Sequence, residues 1–149
     1  LGCFGGYVAT SNEIREFLIN KSRQFMFTSA LPAHLCLASI KAINLAKNGN
    51  LQKKLFANVR AFKGWLNERT IDIGESQSQI IPMRMGHEKL ASKFADMTLK
   101  NGVFTYPMRF PSVKKGSSIL RLSLTSSHTL KQLMNVMQII EKVRRKVLQ

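Results

Sequence analysis

A single arginine inside a short apolar strand is the feature that most restricts how this chain can fold. Ile119 to Ser123 predicts a β-strand in which Arg121 stands among apolar neighbours. Small hydroxyl residues follow this strand, and a helix is predicted to begin at Thr129. Removing a guanidinium from water is costly unless an anion meets it, and its planar fork suits a carboxylate. Arg121 is therefore a candidate carboxylate-binding residue, although a lone strand arginine is usually only a surface residue.

The second half of the chain mixes strands and helices. Gln79–Met85 predicts a strand, which Pro82 makes irregular or restricts to a sheet edge. Val103–Tyr106 predicts another strand, and Pro107 to Gly116 a loop. Three amphipathic helices accompany the strands, with apolar stripes along Leu51–Leu66, Glu88–Lys100 and Leu130–Val147. This pattern predicts a mixed α/β layer, in which helices cover a small sheet.

The first 48 residues follow a more apolar pattern. Tyr7 to Thr10 predicts a short strand after a glycine-rich turn, and Ser11 is placed to cap a helix. Gln24 to Phe27 is predicted to be extended. A helix beginning near Pro32 is apolar nearly all round, so it is expected to be buried. The change in pattern after Asn48 predicts a domain boundary there.

The net charge of +15 invites a nucleic-acid-binding interpretation. The basic residues, however, are spread along the predicted helices without interleaved aromatic residues. Their densest cluster, Lys142–Lys146, lies at a helix C-terminus, where cations favour the helix dipole. Nucleic-acid binding is therefore the less favoured alternative.

Other functional classes leave little trace in the sequence. Cys3 and Cys36 have no metal-ligand spacing, so they predict free thiols in a reducing, cytoplasmic compartment and no metal site. The longest uncharged run is too short and too interrupted to predict a membrane span. The three histidines, at positions 34, 87 and 128, are isolated, and no complete catalytic set can be assembled.

The pair Thr28-Ser29 is a candidate anion site. Its two hydroxyls and backbone amides precede a predicted helix N-terminus, an arrangement that suits a phosphate. Ordinary helix capping explains the same spacing equally well.

Taken in order, several segments resemble the α-oxoamine synthases, pyridoxal-phosphate enzymes of fold type I. Each segment is modest, but the ordered set is specific and spans nearly the whole chain. The segments are Leu1–Val8, Phe25–Pro32, Ile80–Pro82, Gly102–Val103, Phe110–Val113 with Gly116, and Leu120–Leu124 with His128–Thr129.

The resemblance implies a fold and an activity. Residues 1–48 would form the end of a large cofactor-binding domain, and residues 49–149 a small α/β domain with a mostly antiparallel sheet. The parent enzyme would use pyridoxal 5'-phosphate to condense an amino acid with an acyl-CoA, losing CO₂ to give an α-amino ketone. Within the family, Phe104–Pro111 favours the member that acts in the biotin pathway. A ketobutyrate CoA ligase and the quorum-signal synthases remain alternatives.

The resemblance also implies roles for individual residues. Arg121 would hold the carboxylate of the amino acid. Thr28 and Ser29 would reach the cofactor phosphate bound in a neighbouring subunit, which implies a homodimer with shared active sites. Gly5 and Gly6 would let the backbone pass close to the cofactor lysine. That lysine is expected two residues before Leu1, so these 149 residues alone are expected to be inactive.

Overall fold

The computed structural model describes residues 1–147 and divides the chain into two compact units. The first unit comprises residues 1–49, and the second begins at Asn50. Assigning these units to a large cofactor-binding domain and a small C-terminal domain stays a prediction. The predicted second domain runs to residue 149, and its last two residues lie outside the described part.

The first unit is helical. Its helices are α1 (Asn12–Lys21), α2 (Arg23–Met26) and α3 (Ala33–Lys47). Ser11 occupies the N-cap position of α1, as predicted, but its side chain makes no capping hydrogen bond. The Ser11 hydroxyl bonds the carboxylate of Glu13 instead and lowers the pKa of that group, because the bond stabilises its charged form.

Two local predictions in the first unit are wrong. Residues 7–10 form no strand, since each strand found in residues 1–147 belongs to the second unit. The segment predicted to be extended contains the single helical turn α2. The hydroxyl of Ser22 accepts a hydrogen bond from the Phe25 amide at 3.4 Å and starts this turn, so a local cap outweighs the apolar pattern.

The prediction that α3 is buried is also wrong. None of its residues is buried, and Leu37 is 67% exposed. A segment of 49 residues is too short to enclose an apolar helix on all sides. Helix α3 therefore carries a large apolar surface that its own unit does not cover.

The second unit is an α/β layer, as predicted. Its elements are α4 (Asn50–Glu68), β1 (Ile80–Gly86), α5 (Glu88–Lys100), β2 (Tyr106–Met108), β3 (Ser118–Ser123) and α6 (Leu130–Val147). The strands form an antiparallel sheet in the order β1-β3-β2. Pro82 lies in edge strand β1, which confirms one of the two predicted alternatives, and the register of β1 shifts further along, between Arg84 and Gly86.

Strand β2 begins three residues later than predicted. Residues 103–105 leave the ladder because Thr105 is buried beneath α5. The hydroxyl of Thr98 donates to the Ala95 carbonyl at 2.9 Å, and the Thr105 hydroxyl lies 2.9 Å from the Thr98 hydroxyl. Pro107, predicted to be in a loop, instead pairs with Leu120 at the other edge of the sheet, where its missing amide proton is tolerated.

One face of the sheet shares a core with the three helices of the second unit. Strand β3 contributes Leu120 and Leu122 to this core, and β1 contributes Ile81 and Met83. The helices supply the rest: Val59, Phe62 and Leu66 from α4, Phe94 and Ala95 from α5, and Leu133, Ile140 and Val143 from α6. Because side chains alternate along a strand, Arg121 must lie on the opposite face.

Asn58 ties helix α4 to the turn that follows β3. It is only 5% exposed, and its side-chain amide donates to the carbonyls of Thr125 at 3.2 Å and His128 at 3.0 Å. Within the same turn, the Thr125 amide donates to Nδ1 of His128 at 3.2 Å. The chain leaving the Arg121 strand is therefore held by a buried side chain.

Replacing Asn58 with Ala should lower the free energy of unfolding by about 1–3 kcal/mol, because two backbone carbonyls lose their donor inside the fold. The measurement is a denaturant unfolding curve for each protein. Asn135→Ala is the matched control, since Asn135 is exposed on α6. It should change stability by less than about 0.5 kcal/mol. Equal effects of the two variants would contradict this role for Asn58.

Candidate functional site

Arg121 lies in the middle of the open face of the sheet. It pairs in register with Pro82 on β1 and with Tyr106 on β2, so these three residues form one row across the sheet. The side chain of Arg121 is exposed, whereas Leu120 and Leu122 face the core. The apolar neighbours in the sequence therefore do not bury the guanidinium, because they point the other way.

The Arg121 guanidinium has no partner among the residues that the structure describes. Other exposed arginines of the second unit do have partners: Arg84 lies 3.4 Å from Asp72, and Arg145 lies 3.1 Å from Glu141. No carboxylate of residues 1–147 forms an ion pair or hydrogen bond with Arg121. A structural ion pair within this chain is therefore not the reason for an arginine at this position.

Arg121 lines a pocket of about 330 Å³. Its walls are Phe104, Tyr106, Arg121 and Ser123, and the two aromatic side chains are 74% and 54% exposed, respectively. A cation between aromatic walls, with a hydroxyl residue beside it, can bind a small carboxylate that carries a short apolar group.

The sequence interpretation missed three of the four residues in this pocket. Phe104, Tyr106 and Ser123 were not singled out. Only Ser123 carried a signal in its spacing, because it follows Arg121 by two residues in the same strand. Residues two apart share one face of a strand, but the pairing of Tyr106 with Arg121 depends on the register between β2 and β3.

The other predicted site residues lie in the first unit. Gly5 has φ of +114°, and a Cβ at this position would lie 3.0 Å from Cδ1 of Leu31. The glycine-rich turn thus packs against the segment that carries Thr28 and Ser29. Gly6 has no such requirement, because its Cβ position is open. Of the two predicted glycines, only Gly5 is required by the local geometry.

The hydroxyl pair does not cap a helix. Thr28 and Ser29 are exposed in a segment that is neither helix nor strand, and three residues separate Ser29 from the start of α3. The N-cap of α3 is Pro32, and it receives no side-chain capping bond. Both hydroxyls lack a hydrogen-bond partner within residues 1–147. The capping alternative is therefore wrong, and both side chains can donate to an external anion.

The two histidines of the second unit, His87 and His128, have local structural roles. Nδ1 of His87 accepts from the Lys89 amide at 3.3 Å and caps α5. His128 does not cap α6; Thr129 and Gln132 exchange the capping bonds there. His34 is exposed on α3 instead of lying in a core. In the described part of the chain, no group of three or more His, Cys, Asp or Glu side chains could hold a metal ion.

Gly5→Ala should reduce the free energy of unfolding by about 1–3 kcal/mol, since an L-residue is strained at this φ and its methyl group would press on Leu31. Thermal unfolding of the full-length protein measures this effect. Gly6→Ala is the control one residue away. It should be neutral, or raise stability by up to about 1 kcal/mol, by restricting the unfolded chain. A Gly6 variant as unstable as the Gly5 variant would refute the distinction.

Comparison with known proteins gives the family. Residues 1–140 match the aminotransferase class I and II family, and the chain belongs to it. The chain is 37% identical, over 150 residues, to an 8-amino-7-oxononanoate synthase from Citrifermentans bemidjiense, covering 99% of this chain and 39% of that protein. The resemblance predicted from the order of the motifs is confirmed. The chain spans less than two fifths of the length of the curated relatives that it matches.

Solved structures agree with this assignment. The 8-amino-7-oxononanoate synthase of Francisella tularensis is 26% identical with a TM-score of 0.75, covering 94% of this chain and 41% of that one. A serine palmitoyltransferase solved with its pyridoxal phosphate internal aldimine has a TM-score of 0.89 at 24% identity, covering 98% of this chain and 37% of the other. This second likeness shows the fold alone.

None of the helices described in residues 1–147 is long and apolar enough to cross a membrane.

Proposed function

We propose that the protein containing this chain is an α-oxoamine synthase similar to 8-amino-7-oxononanoate synthase. It condenses an amino acid with an acyl-CoA and releases CO₂, giving an α-amino ketone. The observation that carries this proposal is Arg121, an exposed residue that has no partner among residues 1–147 and that lines a pocket large enough for a small carboxylate. The curated relative at 37% identity supports this member of the family over the ligase and the signal synthases. A place in biotin synthesis and a cytoplasmic location are part of the proposal.

Arg121 would bind the amino acid through two parallel hydrogen bonds to its carboxylate. Strand β3 fixes the backbone of Arg121 on both sides, so the guanidinium can orient the α-carbon of the substrate. The carboxylate is also the group that leaves as CO₂. Arg121 would therefore lose its contact with the substrate when the bond between the α-carbon and the carboxylate breaks. As a result, Arg121 would bind the amino acid and not the product.

The first unit would contact the cofactor. Pyridoxal 5'-phosphate, when bound, supplies an electron sink for the negative charge that develops on the α-carbon of the amino acid. Thr28 and Ser29 fit its phosphate group, because both hydroxyls are exposed and have no hydrogen-bond partner within the described residues. Gly5 and Gly6 would lie on the cofactor side of the turn. By the family pattern the phosphate belongs to a neighbouring subunit, so we propose a homodimer with shared sites.

The two units would have different tasks in the parent enzyme. Residues 1–48 would be the end of the large domain, which holds the cofactor. Residues from 49 onward would be the small domain, which presents Arg121. The exposed apolar surface of α3 supports this proposal, since a large domain would supply the side chains that cover it.

Arg121→Ala should leave cofactor absorbance unchanged while lowering kcat/KM for the amino acid by tens- to hundreds-fold. That range corresponds to a loss of about 2–3 kcal/mol for a charge-assisted contact. The measurement is an amino-acid titration of the full-length enzyme. Arg121→Lys should restore little, because a point charge does not reproduce the planar fork.

Arg84→Ala is the matched control for this variant. Arg84 is an exposed arginine on the neighbouring strand, but it is paired with Asp72, so its loss should leave the amino-acid KM nearly unchanged. If Arg121→Ala loses thermal stability while its amino-acid KM stays the same, Arg121 is structural and the proposed function loses its carrying observation.

Replacing Thr28 with Val and Ser29 with Ala together should weaken cofactor binding by roughly tenfold or more, since hydrogen bonds to a charged group contribute about 1.5–3 kcal/mol. Cofactor titration monitored by absorbance gives the dissociation constant, and light scattering gives the subunit count. Thr10→Val, which removes another exposed hydroxyl of the same unit, is the control. Unchanged cofactor affinity in the double variant would remove this pair from the phosphate site.

A further inference from the structure

The second unit has a groove on the surface of helices α4 and α6, and it is separate from the pocket of Arg121. Its volume is about 690 Å³. Along α6 its lining residues are spaced alternately by three residues and by one, starting at Met134 and ending at Lys146. Twelve residues of helix correspond to a length of about 18 Å. The groove is therefore an elongated feature that follows one face of α6.

The floor of the groove is apolar and adaptable. It consists of Trp65 from α4 and of Met134 and Met137 from α6. Met134 is 61% exposed, whereas Trp65 and Met137 are partly buried against the core. Unbranched methionine side chains adjust to irregular partners, and they are common on surfaces that receive a helix.

The walls of the groove are strongly basic. Four cationic side chains and one carboxylate line it: Arg69, Lys142, Arg145, Lys146 and Glu141. Glu141 lies 3.8 Å from Nε of Arg69 and 3.1 Å from Nε of Arg145, so a single carboxylate is shared by two guanidiniums. The site keeps an excess of three positive charges, and the whole chain carries +15.

We infer that this groove is a docking site for an acidic amphipathic helix of a partner protein. The apolar floor at the Met134 end of the groove accepts apolar anchors one helical turn apart, which one face of a helix presents at i and i+3 or i+4, and the rest of that helix can follow α6 along the basic part of the groove. The basic walls select carboxylates on the flanks of that helix and repel a basic one.

The test uses the full-length protein and a synthetic peptide of about 16 residues, long enough to follow the groove as a helix. The peptide carries Leu at i, i+3, i+4 and i+7 and Glu elsewhere, and its comparator carries Lys in place of each Glu. Fluorescence anisotropy gives the affinity. Trp65 is the single tryptophan of these 149 residues, so its emission reports on the groove, with Trp65→Phe as the baseline.

The acidic peptide should change Trp65 emission, and the Lys comparator should not. Met134→Asp should weaken binding about tenfold by placing a carboxylate on the apolar floor. Since Met134 is exposed, this variant should keep its fold, which a thermal unfolding curve verifies. Combined Lys142→Gln, Arg145→Gln and Lys146→Gln should also weaken binding about tenfold at low salt.

The matched control removes three charges elsewhere. Lys89→Gln, Lys93→Gln and Lys100→Gln together neutralise three lysines of α5, none of which lines the groove. This variant should bind the acidic peptide within about twofold of the unchanged protein. An equal loss in both triple variants would mean that net charge alone attracts the peptide, and it would overturn the docking site.

Two further outcomes would also overturn the inference. If iodide fails to quench Trp65 in the full-length protein, a segment of the same chain already covers the groove. If duplex DNA changes Trp65 emission and the acidic peptide does not, the basic walls serve a nucleic acid. Neither outcome depends on the amino-acid titration of the Arg121 variants, so the two proposals can fail separately.

Discussion

The central position of strand β3 determines the arrangement of the second unit. It pairs antiparallel with β1 on one side and β2 on the other, so its backbone cannot shift without breaking both ladders. Leu120 and Leu122 fix its rotation by entering the core, and burying each such side chain contributes about 1.5–3 kcal/mol. The position of Arg121 follows from these two constraints. A register slip of one residue would place a guanidinium in the core and two leucines in water.

The surroundings of the strand limit its freedom further. Asn58 holds the turn after β3 through the carbonyls of Thr125 and His128, and the Leu124 amide donates to the Gln79 carbonyl at 3.0 Å. These contacts come from helix α4 and from the segment before β1. A residue on such a strand loses little backbone conformational entropy if a ligand binds to it, because the fold has already ordered its backbone.

Sequence patterns predicted the second unit well and the first unit poorly, for a physical reason. The helix predicted over Glu88–Lys100 has the observed bounds of α5. Its apolar stripe packs against the sheet of the same unit, so the tertiary contacts agree with the sequence pattern. Helix α3 has an equally clear apolar character, but residues 1–49 supply no core for it. Arg121 could be singled out as a candidate site residue from its contrast with its neighbours, and this role stays a prediction. Phe104 and Tyr106 could not, because hydrogen bonding outside the ladder sets where β2 begins.

The buried hydroxyl pair of Thr98 and Thr105 has a consequence for how binding specificity can evolve. This pair attaches residues 103–105 to helix α5, because Thr98 belongs to α5 and its hydroxyl contacts the hydroxyl of Thr105. The attachment does not use the hydrogen bonds of the sheet. Phe104 therefore forms a wall of the Arg121 pocket from a segment whose conformation is independent of the strand pairing. A substitution at this position alters the shape of the pocket while the guanidinium keeps its place. Under the proposed role of Arg121, a lineage of such proteins can change the apolar part of its ligand and still bind the carboxylate through the same arginine.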